Sequence, residues 1–157
     1  MKFLREKDDN YSTLCSLQAR IFEKASENNL PSFFFIQTFM NSSDAEQLDN
    51  LLFLLSGSSS SEIYTNIARK LPKIKKPTIY DSNVMHWIGF FYRATSYLLN
   101  ISSKELFKNI PPRYLNSVYP LYHSLDLKQA IQIIFDDLEY EHLSPNERFM
   151  KLFKIAM

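Results

Sequence analysis

Two glycines, one cysteine and one tryptophan are all that this chain of 157 residues contains of each. Sheet-rich chains draw on glycine for turns and bulges, so its scarcity argues for helix. It also leaves no glycine-rich loop to cradle phosphates, which weighs against nucleotide-dependent chemistry. The lone Cys15 cannot close an intramolecular disulfide. With an N-terminus, MKFLREKDDN, that lacks the apolar run of a secretory signal, it predicts a reducing, cytoplasmic setting. Neither sign of charge dominates: 18 basic against 17 acidic residues give a formal +1, so any attraction to nucleic acid or an anionic membrane has to be local. No apolar run of about 20 residues exists either. The richest stretch, SNVMHWIGFFYRATSYLLNISS at 82–103, is broken by His86, Gly89, Arg93, Thr95, Ser96 and Asn100, and no membrane span is expected.

What the chain does have is hydrophobic side chain, 45% of it, enough to bury a core without disulfides or metals at this length. Thirteen Phe and nine Tyr make that core one of rings. Helix starts recur in which a Ser or Asp side chain caps orphan amides and a Glu three residues on reaches back: Ser43 with Glu46, Ser59 with Glu62, Ser102 with Glu105. Asp126, and Ser144 followed by Pro145, are further caps. From these starts, helices are predicted near 12–28, 32–41, 43–55, 60–70, 82–100, 103–109, 112–122, 127–140 and 145–155. Stripes at spacings of three and four mark their buried faces: Leu14, Leu17, Ile21 and Ala25; Leu48, Leu51, Leu52 and Leu55; Ala130, Ile131, Ile134, Phe135 and Leu138. The expected fold is all-α, a compact multi-helix bundle of about eight or nine helices in a single domain, 1–157. Residues 70–80, KLPKIKKPTIY, carry two prolines and a run of lysines and read as a linker between two halves. With Arg69 this segment holds five basic residues within 69–76, either a solvated loop or a contact for RNA or an acidic partner.

A catalytic set does not emerge. His86, His123 and His142 are scattered, without metal-ligand spacing, so no metal and no cofactor are expected. Asp8–Asp9 and Asp136–Asp137 are adjacent pairs whose side chains diverge by about 100° on a helix. Cys15 lies beside an apolar stripe, where a thiol is inert. The expectation is a chain that is not an enzyme.

On a helical wheel, residues 81–100 sort into two faces. Ser82, His86, Gly89, Arg93, Ser96 and Asn100 advance by fours and threes as one narrow polar strip, edged by Met85, Phe90 and Tyr97. Val84, Trp87, Ile88, Phe91, Tyr92, Leu98 and Leu99 form the core side. A small residue at Gly89, a cation at Arg93, and rings at Phe90 and Tyr97 suit a close contact with another protein, so His86, Gly89, Phe90, Arg93 and Tyr97 are the candidate partner-binding residues. The alternatives are that the strip meets water, or that Arg93 pairs inside the domain with a carboxylate such as Asp126 or Asp137. If the strip meets a partner, Arg93→Ala abolishes binding and spares stability; if it is internal, stability falls. Residues 102–122 also outline a helix-turn-helix whose Arg113, Asn116 and Tyr119 could face DNA, but Pro111 and Pro112 fill the turn and cations are few.

Four runs carry a family resemblance: FIQTFMNS at 35–42, WIGFFYR at 87–93, ISSKELF at 101–107 and YPLYHSLD at 119–126. They resemble a pattern in small bacterial proteins of toxin–antitoxin operons, encoded beside ADP-ribosyltransferase-like toxins. The resemblance implies an antitoxin or accessory role, in which the chain binds a cognate toxin and holds it inactive. It implies no residue roles. The alternative function is a DNA-binding regulator using 102–122.

Overall fold

A computed structural model describes residues 1–53, 58–141 and 146. Among these the fold is all-α, with eight helices: α1 Asp9–Glu27, α2 Ser32–Met40, α3 Ser43–Asp49, α4 Ser60–Arg69, α5 Ser82–Leu99, α6 Ser103–Asn109, α7 Pro112–Tyr122 and α8 Leu127–Glu141. The chain divides into two compact units, Met1–His123 and Ser124–Met157. Residues 70–80 thus run within the first unit, and no division falls there. Prolines and lysines end a helix without separating cores. The loop is tied down at its far end, where the Ser32 amide donates to Thr78 O at 3.1 Å, the Tyr80 amide to Ser32 Oγ at 2.7 Å, and Ser26 Oγ to Tyr80 O at 2.6 Å.

The local start signals hold where they are purely local. Ser59 Oγ accepts the Glu62 amide and Ser102 Oγ the Glu105 amide, each at 3.2 Å. The third cap is shifted by one residue: Ser42, not Ser43, caps α3 through the Ala45 amide at 3.1 Å. That helix also stops earlier than its leucines suggest. It ends at Asp49, Leu51 takes a positive φ of 61°, and Leu52 is exposed. The expected Leu55 and, residue 146 apart, the helix at 145–155 with its Ser144 cap lie outside the described residues.

In the first unit the core forms around α5, which packs chiefly along α1. Residues 91–98 of α5 are all buried, so the helix is surrounded on every side. Leu14, Ala19, Ile21, Phe22 and Ala25 bury the inward face of α1, and Phe22 meets Phe35 and Phe39 of α2 edge-on at 5.9 and 5.1 Å. At its C-terminus α5 is closed by Asn100 in the left-handed region, a role that asparagine can take in place of glycine. In the second unit, Ala130, Ile131 and Ile134 form the buried stripe of α8. No helix among the described residues is long and apolar enough to cross a membrane.

The N-terminal segment is fastened to the end of α5. Leu4 and Arg5 amides both donate to Leu98 O, and Arg5 lies over the Tyr97 ring at 5.2 Å. Asp8 caps α1 through the Tyr11 amide at 2.9 Å and accepts the Tyr97 hydroxyl on both carboxylate oxygens, at 2.8 and 2.9 Å. The Tyr11 amide first, and the Tyr97 hydroxyl after it, hold the Asp8 carboxyl below its ordinary value. A carboxyl lowered on folding contributes stability that is present above its unfolded pKa, about 3.9, and lost as pH falls through the folded value. Urea unfolding from pH ~5 to ~2 is therefore expected to show a shallower acid limb in Asp8→Asn than in the parent chain.

Candidate functional site

The polar strip of α5 faces α1. Gly89 is buried where the two helices cross, and a Cβ built on it would stand 2.8 Å from Gln18 O, 3.0 Å from Ala19 Cα and 3.0 Å from Phe22 Cγ. The small residue does permit close approach, but the surface approached belongs to the same chain.

Arg93, one turn on, is 1% exposed and, among the described residues, is the largest fully buried side chain. Its guanidinium is hydrogen-bonded all round: Nε donates to Gln18 Oε1 at 2.7 Å, Nη1 to Asp49 Oδ1 at 2.7 Å and to Ser96 Oγ at 3.4 Å, and Nη2 to Ser103 Oγ at 3.0 Å. Asp49 is equally engaged. Its Oδ1 also accepts from the Ser103 and Ser96 hydroxyls at 2.6 and 3.2 Å, and its Oδ2 from the Ser103 amide at 2.9 Å. One ion pair with its serines thereby ties α5 to α3 and to the start of α6, and Gln18 adds α1. Burial lowers the Arg93 pKa and the facing Asp49 charge opposes that shift, while a guanidinium remains protonated in any case. The internal carboxylate is Asp49 rather than Asp126 or Asp137. Asp49 follows buried Ala45 by one helical turn, a spacing that puts the two on one face and is the local sign that this acid turns inward.

Tyr97, at the edge of the strip, is 5% exposed and committed to Asp8. Burial first, and the Asp8 hydrogen bond after it, raise its pKa. Of the five candidates, His86 and Phe90 reach the surface. His86 Nδ1 lies 3.3 Å from Glu23 Oε2, a carboxylate that also accepts from Arg20 at 3.0 Å. Phe90 meets Tyr11 edge-on at 6.2 Å and is half-buried. The five candidates therefore separate into an internal group, Gly89, Arg93 and Tyr97, and a surface group, His86 and Phe90.

The surface group opens into a shallow cleft of about 280 Å³ between α5 and α7, lined by Asn83, His86, Trp87, Phe90, Tyr119 and His123. Trp87, placed on the core side by the wheel, is half-buried at the cleft wall. It packs on Phe91 at 5.5 Å and meets Tyr119 near edge-on at 5.7 Å. Tyr119 stacks on His123 at 4.3 Å, and His123 Nδ1 lies 2.8 Å from Tyr119 O. Two histidines and three large rings are thus presented together on two helices. In the sequence Tyr119 stands out only as a DNA-facing candidate of the helix-turn-helix outline and His123 only as one of three scattered histidines. Their meeting with Trp87 depends on the α5–α7 packing.

The helix-turn-helix outline is present as α6 and α7 joined through Ile110 and Pro111. Ile110 is buried and Tyr92 Oη donates to its carbonyl at 2.5 Å, which fixes the connection to α5. Arg113 is exposed on α7, whereas Tyr119 is turned into the cleft. Cys15 is fully buried, and burial pushes its thiol up to about 12. Among the described residues no three His, Cys, Asp or Glu side chains converge as metal ligands. Set against protein-family models, curated proteins and solved structures, the chain has no match in any of the three.

Proposed function

We propose that the chain is a non-enzymatic protein-binding module of antitoxin type, which neutralises a cognate toxin by direct binding, and that the α5–α7 cleft is the face it uses. The resemblance of 87–93 and 119–126 to proteins of toxin–antitoxin operons supplies the functional class. The observation that carries the choice of face is that those two runs, 26 or more residues apart, supply opposite walls of one cleft: Trp87 and Phe90 from the first, Tyr119 and His123 from the second. Trp and Tyr held on helices present large contact area with little rotamer freedom left to lose, the character of interface hot spots. Inhibition then follows from steric occlusion of the toxin's own site, with the buried Arg93 maintaining the helix that presents the rings. His86 and Phe90 keep their place as contact residues, and Gly89, Arg93 and Tyr97 support them from inside.

Co-expression with a toxin encoded beside this chain, which the reading predicts, tests this. Asn83→Arg, at an exposed position on the cleft rim, and Trp87→Ala are each expected to weaken the complex by about thirtyfold or more and to restore toxicity. Asn83→Arg leaves the melting temperature unchanged, which separates loss of contact from loss of fold. Retention of full affinity and full neutralisation by both variants overturns the assignment of this face.

A further inference from the structure

The basic segment at 69–76 is not absorbed by the cleft, and its surroundings give it chemistry. Arg69, Lys70, Lys73, Lys75 and Lys76 are all exposed, and among the described residues none of them pairs with a carboxylate. The loop's return is pinned to Ser32, the first residue of α2, through Thr78 O and the Tyr80 amide. Lys76 precedes Thr78 by two residues, which a chain spans in at most about 7 Å. Lys75 and Lys76 are therefore delivered to the start of α2, and Lys73 follows within about 18 Å of chain.

Two of the largest exposed apolar side chains occur at that point. Phe33 and Phe34 are 40% and 37% exposed, and Phe33 meets Phe34 at 5.6 Å and Phe107 of α6 at 5.9 Å. Lys108 follows Phe107 and is exposed. Arg113, exposed at the start of α7, lies close enough to Tyr80 for its charge to oppose the burial that raises the Tyr80 pKa. Neither cation pairs with a described carboxylate. Of the acids nearest in sequence, Asp81 is engaged as the cap of α5, its carboxylate accepting the Asn83 amide, while Glu105 is exposed in the first turn of α6, where its backbone amide donates to Ser102 Oγ.

We propose that this face binds single-stranded nucleic acid, with bases stacking on Phe33 and Phe34 and phosphates held by the loop lysines and Arg113. Unpaired cations select an anionic ligand, and a formal charge of only +1 over the chain makes their concentration here local rather than general. The rings choose among anions. A base in a duplex has its faces covered, whereas an unstacked base can lie on an exposed phenyl ring, and an acidic peptide has no flat aromatic face to match it. The binding is tolerant of sequence because every base has such a face. It is independent of the antitoxin reading, since none of its residues lines the α5–α7 cleft.

Fluorescence anisotropy with the full chain and labelled oligothymidylate or oligouridylate of about a dozen nucleotides tests the proposal. Binding is expected at ~50 mM salt, with a log–log salt slope near −3, the release expected for about four neutralised phosphates. The triple variant Lys73→Glu, Lys75→Glu, Lys76→Glu should bind at least about a hundredfold more weakly. Phe34→Ser should bind about tenfold more weakly with an unchanged salt slope, a combination that charge alone does not produce. Far-UV circular dichroism confirms that both variants keep the fold. No binding at low salt overturns the proposal. So does duplex of the same length binding as tightly, or a polyglutamate peptide competing equally while Phe34→Ser has no effect; this last result would assign the face to an acidic protein instead.

Discussion

Asp49→Ala is expected to destabilise the chain by about 3–5 kcal/mol, because it leaves the Arg93 guanidinium buried without its counter-ion. Loss on that scale consumes much of the 5–15 kcal/mol that holds a domain of ordinary size together, and the melting temperature should fall by roughly 10–15 °C. An ion pair at the surface would not behave this way. Exposed pairs contribute roughly 0–1 kcal/mol, since water solvates each partner when the other is removed. Here Arg93 is 1% exposed, so the guanidinium left behind stays shielded by the packing of α3, α5 and α6 around it, although the Asp49 side chain itself keeps 12% of its surface accessible. The converse change, Arg93→Ala, leaves a carboxylate that keeps its Ser103 amide and two hydroxyl donors, plus a cavity the size of the lost side chain. It should cost a similar amount for a different reason. Replacing both partners by apolar residues, Arg93→Met with Asp49→Leu, should recover a large part of either loss, because no uncompensated charge remains. Chemical denaturation of the four proteins measures all of this in one series.

The second large effect belongs to Gly89. At an exposed helical position a glycine replaced by alanine gains about 1 kcal/mol of helix propensity. At Gly89 the new Cβ meets Gln18 O at 2.8 Å and Ala19 Cα at 3.0 Å, both backbone atoms of a helix that cannot yield locally. Overpacking of this kind costs 1–3 kcal/mol for modest insertions, so Gly89→Ala should lose stability despite the gain in propensity, and Gly89→Val should lose about 3 kcal/mol or more. The effect should not add to that of Arg93→Ala. Gln18 both stands over Gly89 and accepts from Arg93 Nε, so forcing the helices apart loosens the guanidinium as well.

These two residues show where sequence stops being sufficient. The wheel of α5 found the strip of small and polar residues, but one helix cannot say whether such a strip meets water, a partner or its own chain. The missing half of the information was on α1. Gln18 sits within the apolar run Leu14, Cys15, Ile21, Phe22 and Ala25, and a polar side chain on a buried face is the sign that another polar group waits opposite. Asp49 is 44 positions from Arg93, and nothing local pairs them. Capping, by contrast, is decided within four residues, and the starts at Ser59 and Ser102 were legible for that reason. The leucines after Asp49 misled because their spacing is helical while the backbone turns at Leu51 into a positive φ. The cleft was half legible: His86 and Phe90 came from the wheel, whereas Trp87 was assigned to the core and is shared between Phe91 and the cleft wall. The basic loop looked like a divider because proline and lysine end helices, but three hydrogen bonds through Ser26 and Ser32 return it to the first unit.

The division of α5 into an internal face that holds the fold and an outer face that presents a cleft stands or falls on Arg93 and Asp49. A double-mutant cycle on that pair, Arg93→Met and Asp49→Leu singly and together, read by urea unfolding, gives their coupling free energy directly. A buried, mutually dependent pair predicts coupling of about 2 kcal/mol or more, with the double variant more stable than the Asp49→Leu single variant. Coupling near zero, with both single variants as stable as the parent chain, would contradict the account and return Arg93 to the surface.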